Sequence, residues 1–190
     1  ELTYLVLVVM NLVWYFTAKK NRYNWLLILT AVSLHSYYFY GLPGLLFLIL
    51  VAVISTTAEL ISLKSPLNIF GVSYRYNLKH KFFPSRISIL GVYPIEVTGA
   101  WVTLKYLSFF LSGIIAAHLN LSILTTMVLS ALFLVSFDLF IDPIAVFQRA
   151  WQWGRKGWFF NVPWQNFLGW FIVGLSVSLI VPKLRLGTNL

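Results

Sequence analysis

The sequence contains no cysteine and only five acidic residues among its 190. The absence of cysteine excludes disulfide bonds, thiolate metal sites and a cysteine nucleophile. Metal-ligand spacings such as HExxH are also absent, and we predict no metal site. Charged residues make up 10% of the chain and hydrophobic residues 59%, a balance that excludes an ordinary soluble domain.

What the sequence does contain is a series of six apolar runs, each bounded by charges, glycine or proline. They cover approximately residues 3–18, 25–41, 44–63, 92–116, 120–141 and 164–181. A helix needs about 20 residues to cross a hydrocarbon core of about 30 Å. The runs therefore predict an all-α, polytopic transmembrane bundle of about six spans. No linker interrupts it, and we predict a single domain over residues 1–190.

The 14 basic residues outnumber the 5 acidic ones and give a net charge of +9. Most of them lie in the loops after the first, third and fifth runs, within residues 19–22, 64–86 and 149–156. Short loops rich in Lys and Arg stay on the cytoplasmic side. This distribution predicts a multi-pass protein of the cell membrane with its N-terminus outside. It makes nucleic acid a poor candidate as a partner.

Four of the acidic residues fall near one membrane face in this topology: Glu59, Glu96, Asp138 and Asp142. Asp138 and Asp142 are four residues apart, so they share one face of a helix. Two carboxylates so close resist double ionisation, and in a dry site one is expected to keep its proton. Ionisable groups within spans are costly and usually functional. The alternative is that the pair caps the helix end or pairs with basic residues that follow.

Lys105 lies within the fourth apolar run, nine residues beyond Glu96 and on the opposite side of the predicted helix. It shares a face with Thr98 and Trp101. Two interpretations stay open. The lysine either contacts a carboxylate of another helix or snorkels to the membrane interface.

The two long predicted loops are aromatic as well as basic: "NIFGVSYRYNLKHKFFP" and "VFQRAWQWGRKGWFFNVPW". Trp and Tyr often form a belt at headgroup depth. Aromatic faces also stabilise cations, so this arrangement could surround an apolar substrate that becomes positively charged during a reaction. Both interpretations stay open.

Two parts of the sequence resemble a known family. The first is "DLFIDP" at 138–143, followed by "WQW" at 151–153 and "VPWQNFLGW" at 162–170. The second is Glu59 followed by "FGVSYRY" at 70–76, "GVYP" at 91–94 and Trp101. These motifs resemble the CruF-like carotenoid biosynthesis proteins, which include bisanhydrobacterioruberin hydratase.

The resemblance implies hydration of a terminal isoprenoid double bond without a cofactor. Protonation at the less substituted carbon gives a tertiary cation, which captures water. Asp138, Asp142 and Glu59 are then the expected acid and base groups. The residues expected to bind the substrate are Glu96, Trp101, Tyr74, Tyr76, Trp151, Trp153 and Asn166. The implied partners are a carotenoid or another long isoprenoid and membrane lipids.

Two other functions are also considered. Asp138 and Asp142 fit the spacing of one Mg-diphosphate motif of UbiA-type prenyltransferases, but the sequence lacks their second acidic motif. The chain could instead be a carotenoid- or lipid-binding subunit of a larger membrane complex. A subunit of that kind would have its carboxylates fully paired with Arg or Lys, whereas a hydratase needs them to face a pocket.

Overall fold

The computed structural model describes residues 24–64 and 69–180. Within these ranges the chain forms four helices: α1 (Asn24–Lys64), α2 (Ile95–Leu119), α3 (Ile123–Phe147) and α4 (Trp164–Ser178). The span predicted at 3–18 lies outside the described residues. The fold is mainly helical, as predicted, with four short strands in addition.

Three of the helical runs are long and apolar enough to cross a membrane: Trp25–Lys64, Ile95–Leu119 and Ile123–Phe147. Large apolar side chains such as Tyr38 and Phe140 point outward, as a lipid-facing surface requires. Helix α4 has 15 residues, fewer than the roughly 20 that a span needs. These helices indicate a membrane protein, but the predicted total of about six spans is not confirmed.

Helix α1 consists of two helical arms, residues 24–40 and 42–64, that meet at a break. Gly41 has φ 61° and ψ −147°, a conformation that glycine adopts without steric cost. Pro43 follows and cannot donate the backbone hydrogen bond of a continuing helix. A Cβ built on Gly44 would lie 2.6 Å from the carbonyl oxygen of Ser36. The chain therefore turns back closely on itself at this point.

Contacts with α2 give the direction of each arm. The contacting pairs are Trp25 with Gly99 and Phe39 with Phe110 in the first arm, and Phe47 with Phe109 and Thr56 with Thr98 in the second. From Trp25 to Phe39, the contacting residue of α2 moves from Gly99 to Phe110, so the first arm runs parallel to α2. From Phe47 to Thr56 it moves from Phe109 back to Thr98, so the second arm runs antiparallel to α2. The two arms are therefore antiparallel, in agreement with the separate apolar runs predicted at 25–41 and 44–63.

Helices α3 and α4 complete the bundle. Ser122 caps α3 by accepting a hydrogen bond from a backbone N–H of its first turn, and the short connection from α2 makes the two helices antiparallel. Helix α4 runs back along α3. Asn166 near its start contacts Asp138, and a Cβ on Gly174 near its end would lie 2.7 Å from the Leu134 side chain.

Two small antiparallel sheets replace the loops that the sequence predicted. Strand β1 (Tyr74–Tyr76) pairs with β4 (Trp151–Trp153), and β2 (Ser88–Ile89) pairs with β3 (Tyr93–Pro94). Successive side chains of a strand point to opposite faces. The register of β1 and β4 therefore places four aromatic rings on one face: Tyr74 opposite Trp153, and Tyr76 opposite Trp151.

The buried core is divided along the bundle axis. One cluster, around Val51, Val102 and Tyr106, joins both arms of α1 to α2. A second cluster, around Trp101 and Trp170, lies nearer the β1–β4 ribbon and includes residues of all four helices. The carboxylates described next lie at this second level.

Candidate functional site

The structure brings Glu59, Asp138 and Asp142 to the ribbon end of the bundle. Glu59 lies in the last turns of α1, and the two aspartates lie in the last turns of α3. All three side chains are buried. The prediction from topology that these carboxylates share one level is therefore consistent with the structure, while their catalytic roles stay predictions.

Asn166 holds the two aspartates together. Its side-chain Nδ2 donates to Oδ2 of Asp138 at 2.7 Å and to Oδ2 of Asp142 at 2.6 Å. The indole N–H of Trp151 donates to the other oxygen of Asp142 at 2.5 Å. Oδ1 of Asp138 is buried and has no hydrogen-bond partner in the part of the chain that the structure describes.

Three neutral donors surround Glu59. Tyr74 and Tyr76 both donate to Oε2, the latter at 2.9 Å, and Trp101 donates from its indole nitrogen to Oε1 at 3.0 Å. The two tyrosines reach one oxygen because alternate residues of β1 point to the same face. Three donors favour the ionised form of a carboxylate, which accepts hydrogen bonds and donates none.

The tyrosines stay protonated in this position. Burial raises the pKa of Tyr74 and Tyr76 well above the usual value of 10.0, and the nearby charge of Glu59 raises both further. A phenol that keeps its proton keeps its hydrogen bond to the carboxylate. The donors of Glu59 are therefore present over the whole physiological pH range.

Aromatic rings enclose the carboxylates. Trp101 stacks on Trp170 with ring centroids 3.9 Å apart and planes 15° from parallel. Across the ribbon, Tyr74 packs on Trp153 at 4.9 Å and Tyr76 contacts Trp151 at 5.7 Å. Such faces attract positive charge, so the site combines apolar walls with tolerance of a cation.

A cavity of about 280 Å³ opens between these groups. Its lining contains all the predicted site residues except Asp138: Glu59, Tyr74, Tyr76, Glu96, Trp101, Asp142, Trp151, Trp153 and Asn166. Asp138 lies behind Asn166, which it contacts without reaching the cavity. Strands β1 and β4, which are far apart in sequence, and all four helices contribute residues to this lining.

Sequence reasoning missed several residues of the cavity wall, among them Trp25, Phe83 and Trp170. Trp170 could have been found, because it lies four residues after Asn166 and so on the same face of α4. Trp25 carries no such signal. It reaches the cavity because the first arm of α1 packs along α2, where a Cβ built on Gly99 would lie 3.2 Å from the Trp25 ring.

Glu96 is the fourth carboxylate at this level. Its Oε1 accepts a hydrogen bond from the backbone N–H of Ser85 at 2.8 Å. Its Oε2 is buried and has no hydrogen-bond partner among residues 24–64 and 69–180. Glu96 therefore lines the cavity and has one side-chain oxygen without a hydrogen-bond partner in the described part of the chain.

Lys105 follows neither interpretation left open by the sequence. It is fully buried and donates to Ser130 Oγ at 2.8 Å and to Ser178 Oγ at 2.7 Å. The lysine thus joins α2, α3 and α4 through hydroxyl groups, one turn beyond Trp101.

Among the described residues, no group of three or more His, Cys, Asp or Glu is placed to hold a metal ion.

Comparison with known proteins decides the family. The family model described as "Carotenoid biosynthesis protein" matches residues 20–187. The chain belongs to the carotenoid biosynthesis protein family. No curated protein and no solved structure gives a significant match.

The match confirms the family resemblance drawn from the sequence motifs. It extends over almost the whole chain and includes every residue of the cavity lining named above. Family membership supports a role in carotenoid biosynthesis for this membrane protein.

Proposed function

We propose that the protein is a carotenoid hydratase that adds water to a terminal isoprenoid double bond by acid catalysis. The observation that carries the proposal is that Asp142 and Glu59 both face one aromatic-walled cavity. Hydration of a trisubstituted alkene needs an acid, a cation-tolerant pocket and a water molecule. The lining supplies the first two.

In this mechanism, Asp142 transfers its proton to the less substituted carbon of the double bond. The other carbon becomes a tertiary cation, and the electron pair of the double bond forms the new C–H bond. Water then attacks the cation, and loss of one proton from the added water leaves a tertiary alcohol. General acid catalysis of this kind contributes about 10²- to 10⁴-fold in rate.

The two aspartates have different positions in this proposal. Asp142 lines the cavity, whereas Asp138 does not. Asp142 is therefore the acid that touches the substrate, and Asp138 is a positioning residue that shares the Asn166 amide with it. A second carboxylate so close disfavours ionisation of both, which keeps a proton available on the pair.

Glu59 provides the negative charge that faces the cation. Its three neutral donors stabilise the ionised carboxylate and offset part of the cost of burying its charge. The ring faces of Trp101 and Trp170 add to the stabilisation of positive charge. Charges placed before the reaction begins stabilise a developing charge without reorganisation.

The cavity fits one end of a substrate. Its volume of about 280 Å³ is near the lower limit of the roughly 300–1,000 Å³ usual for small-molecule pockets. A long polyene would place one terminal isoprene unit there and leave the rest of the chain among lipids.

A non-catalytic binding subunit is the alternative, and the partners of the carboxylates argue against it. A packing role would pair Asp138, Asp142 and Glu59 with Arg or Lys, since buried charges are otherwise costly. The donors that contact these three side chains are instead neutral: Asn166, Trp151, Tyr74, Tyr76 and Trp101.

The test is expression of the full chain in a host that makes acyclic carotenoids, with chromatography and mass spectrometry of the extracted pigments. The wild type should yield a carotenoid heavier by one water, and Asp142→Asn should not. Ser136→Ala is the matched control, because Ser136 is an exposed residue of the same helix and its hydroxyl donates to the backbone carbonyl of Leu132. An inactive wild type, or full activity in Asp142→Asn, would reject the proposal.

A further inference from the structure

The carboxylates at the cavity differ in how many hydrogen bonds they already accept. Glu59 accepts three, from Tyr74, Tyr76 and Trp101, and Asp142 accepts two. A carboxylate has about four acceptor positions on its two oxygens. Glu59 therefore has little capacity left for another donor.

Glu96 accepts one hydrogen bond, from the Ser85 backbone. Its side chain is only 7% exposed, and it belongs to the cavity lining. Its Oε2 is buried without a hydrogen-bond partner in the described part of the chain. A buried carboxylate oxygen normally accepts a hydrogen bond. This atom is therefore suited to accept one from a reactant such as water.

Glu96 is held by a loop at the surface of the bundle. Its Oε1 is fixed to the backbone at Ser85, and the neighbouring residues Arg86 and Ile87 are exposed. Asp142, by contrast, lies on α3 and is held by Trp151 and Asn166. The acid and the free acceptor therefore come from different helices that face the same cavity.

We infer that Glu96 holds the attacking water in the proposed hydration and takes up its proton. This inference rests on the proposed function and assigns its second half. One O–H of the water donates to Glu96 Oε2, the water oxygen forms the C–O bond to the tertiary cation, and that O–H proton passes to the carboxylate. The cycle closes when Glu96 returns a proton to water and Asp142 takes one up.

Loss of the water-holding group has a consequence that a structural defect would not produce. The cation can still form, but without water it returns a proton from a neighbouring carbon to the Asp142 carboxylate and becomes an alkene again. In D₂O the proton that Asp142 delivers is a deuteron. The carotene would then return to the membrane labelled with deuterium but not hydrated.

The experiment uses membranes that contain the full chain and an acyclic carotene, incubated in D₂O. Mass spectrometry measures the alcohol and the deuterium in recovered carotene for wild type, Glu96→Gln, Glu96→Leu and Glu59→Gln. We expect both Glu96 variants to keep the labelling while the ratio of alcohol to labelled carotene falls at least about tenfold. Glu59→Gln should lower both products together, because it weakens the charge facing the cation.

The isosteric Gln variant guards against misfolding, since its amide oxygen can still accept the hydrogen bond from Ser85. A parallel loss of alcohol and labelling in folded Glu96→Gln would overturn the inference, and so would an unchanged ratio in both Glu96 variants. A wild type that neither hydrates nor labels the carotene would reject the proposed function, and this inference with it. A wild type that hydrates, with variants that only label, would support both.

Discussion

The side-chain amide of Asn166 donates a hydrogen bond to Oδ2 of Asp142 across 2.6 Å, and this bond ties the start of α4 to the end of α3. The same nitrogen also bonds Asp138. One amide therefore sets the separation of the two aspartates. In the proposed mechanism, this geometry keeps a shared proton beside the cavity.

Replacement of Asn166 by Leu should lower both stability and activity. Hydrogen bonds to charged groups contribute about 1.5–3 kcal/mol, and two buried acceptors lose their donor. We expect a lower thermal unfolding midpoint in detergent and at least about a tenfold loss of hydration. The double variant Asn166→Asp with Asp142→Asn exchanges the two groups. The double variant should recover the stability that Asn166→Leu loses, but it should not recover activity. Recovered activity would show that the acid does not need to lie on α3.

The two aspartates should differ in their effect on the reaction. Asp142→Asn removes the group that faces the cavity and should lower the rate by about 10²- to 10⁴-fold. Asp138→Asn removes only the partner behind Asn166, and we expect a smaller loss of about tenfold. Initial rates of alcohol formation at matched protein levels measure both. Equal losses would mean that the pair acts as one unit.

Alkaline pH should destabilise the protein through Tyr74 and Tyr76. Their pKa values are raised by burial and by Glu59, so the folded state retains two protons that the unfolded state loses above about pH 10. Unfolding then becomes more favourable as pH rises beyond that value, while stability below it is unaffected. Thermal unfolding from about pH 8 to about pH 11 should show this fall.

The Phe variants supply the control for this pH effect. Tyr74→Phe with Tyr76→Phe should be less stable at neutral pH, because Glu59 loses two donors at about 1.5–3 kcal/mol each. Its stability should fall less steeply above about pH 10. A slope as steep as that of the wild type would assign the alkaline transition to other groups.

The stacked pair of Trp101 and Trp170 should matter for catalysis beyond its packing. Trp170→Phe keeps an aromatic face and should retain most activity, whereas Trp170→Leu removes the face and should lower the rate by about tenfold, since cation–π contacts contribute about 0.5–2 kcal/mol. The activity of each variant is compared with its unfolding midpoint, measured in the same detergent. Similar activity of the Leu and Phe variants at similar stability would indicate a packing role only.

Gly157 should be required for the loop that leads into α4. A Cβ at this position would lie 1.9 Å from the carbonyl oxygen of Val162, and a backbone atom cannot yield as a side chain can. Gly157→Ala should displace the entry to α4, lowering the unfolding midpoint and also the activity that depends on Asn166. Gly91→Ala is the comparison, because open space surrounds it and only backbone strain of about 1–2 kcal/mol applies. An equal effect of the two substitutions would contradict the close approach at Gly157.

Much of this molecule is set by local sequence. Apolar runs require helices in a membrane because each backbone group must be satisfied within its own segment. Gly41 and Pro43 divide the first described run into two arms. The motifs around Asp138, Asp142 and Asn166 were enough to find the family. The i, i+4 spacing alone placed the two aspartates on one face of α3.

The rest needed the tertiary structure because it depends on contacts between residues far apart in the chain. The sequence predicted loops where β1 and β4 pair, since a three-residue strand gives no periodic signal before its partner is known. Lys105 had no visible partner until α3 and α4 brought Ser130 and Ser178 to it. Glu59 and Asp142 reach the same cavity only when four helices pack together.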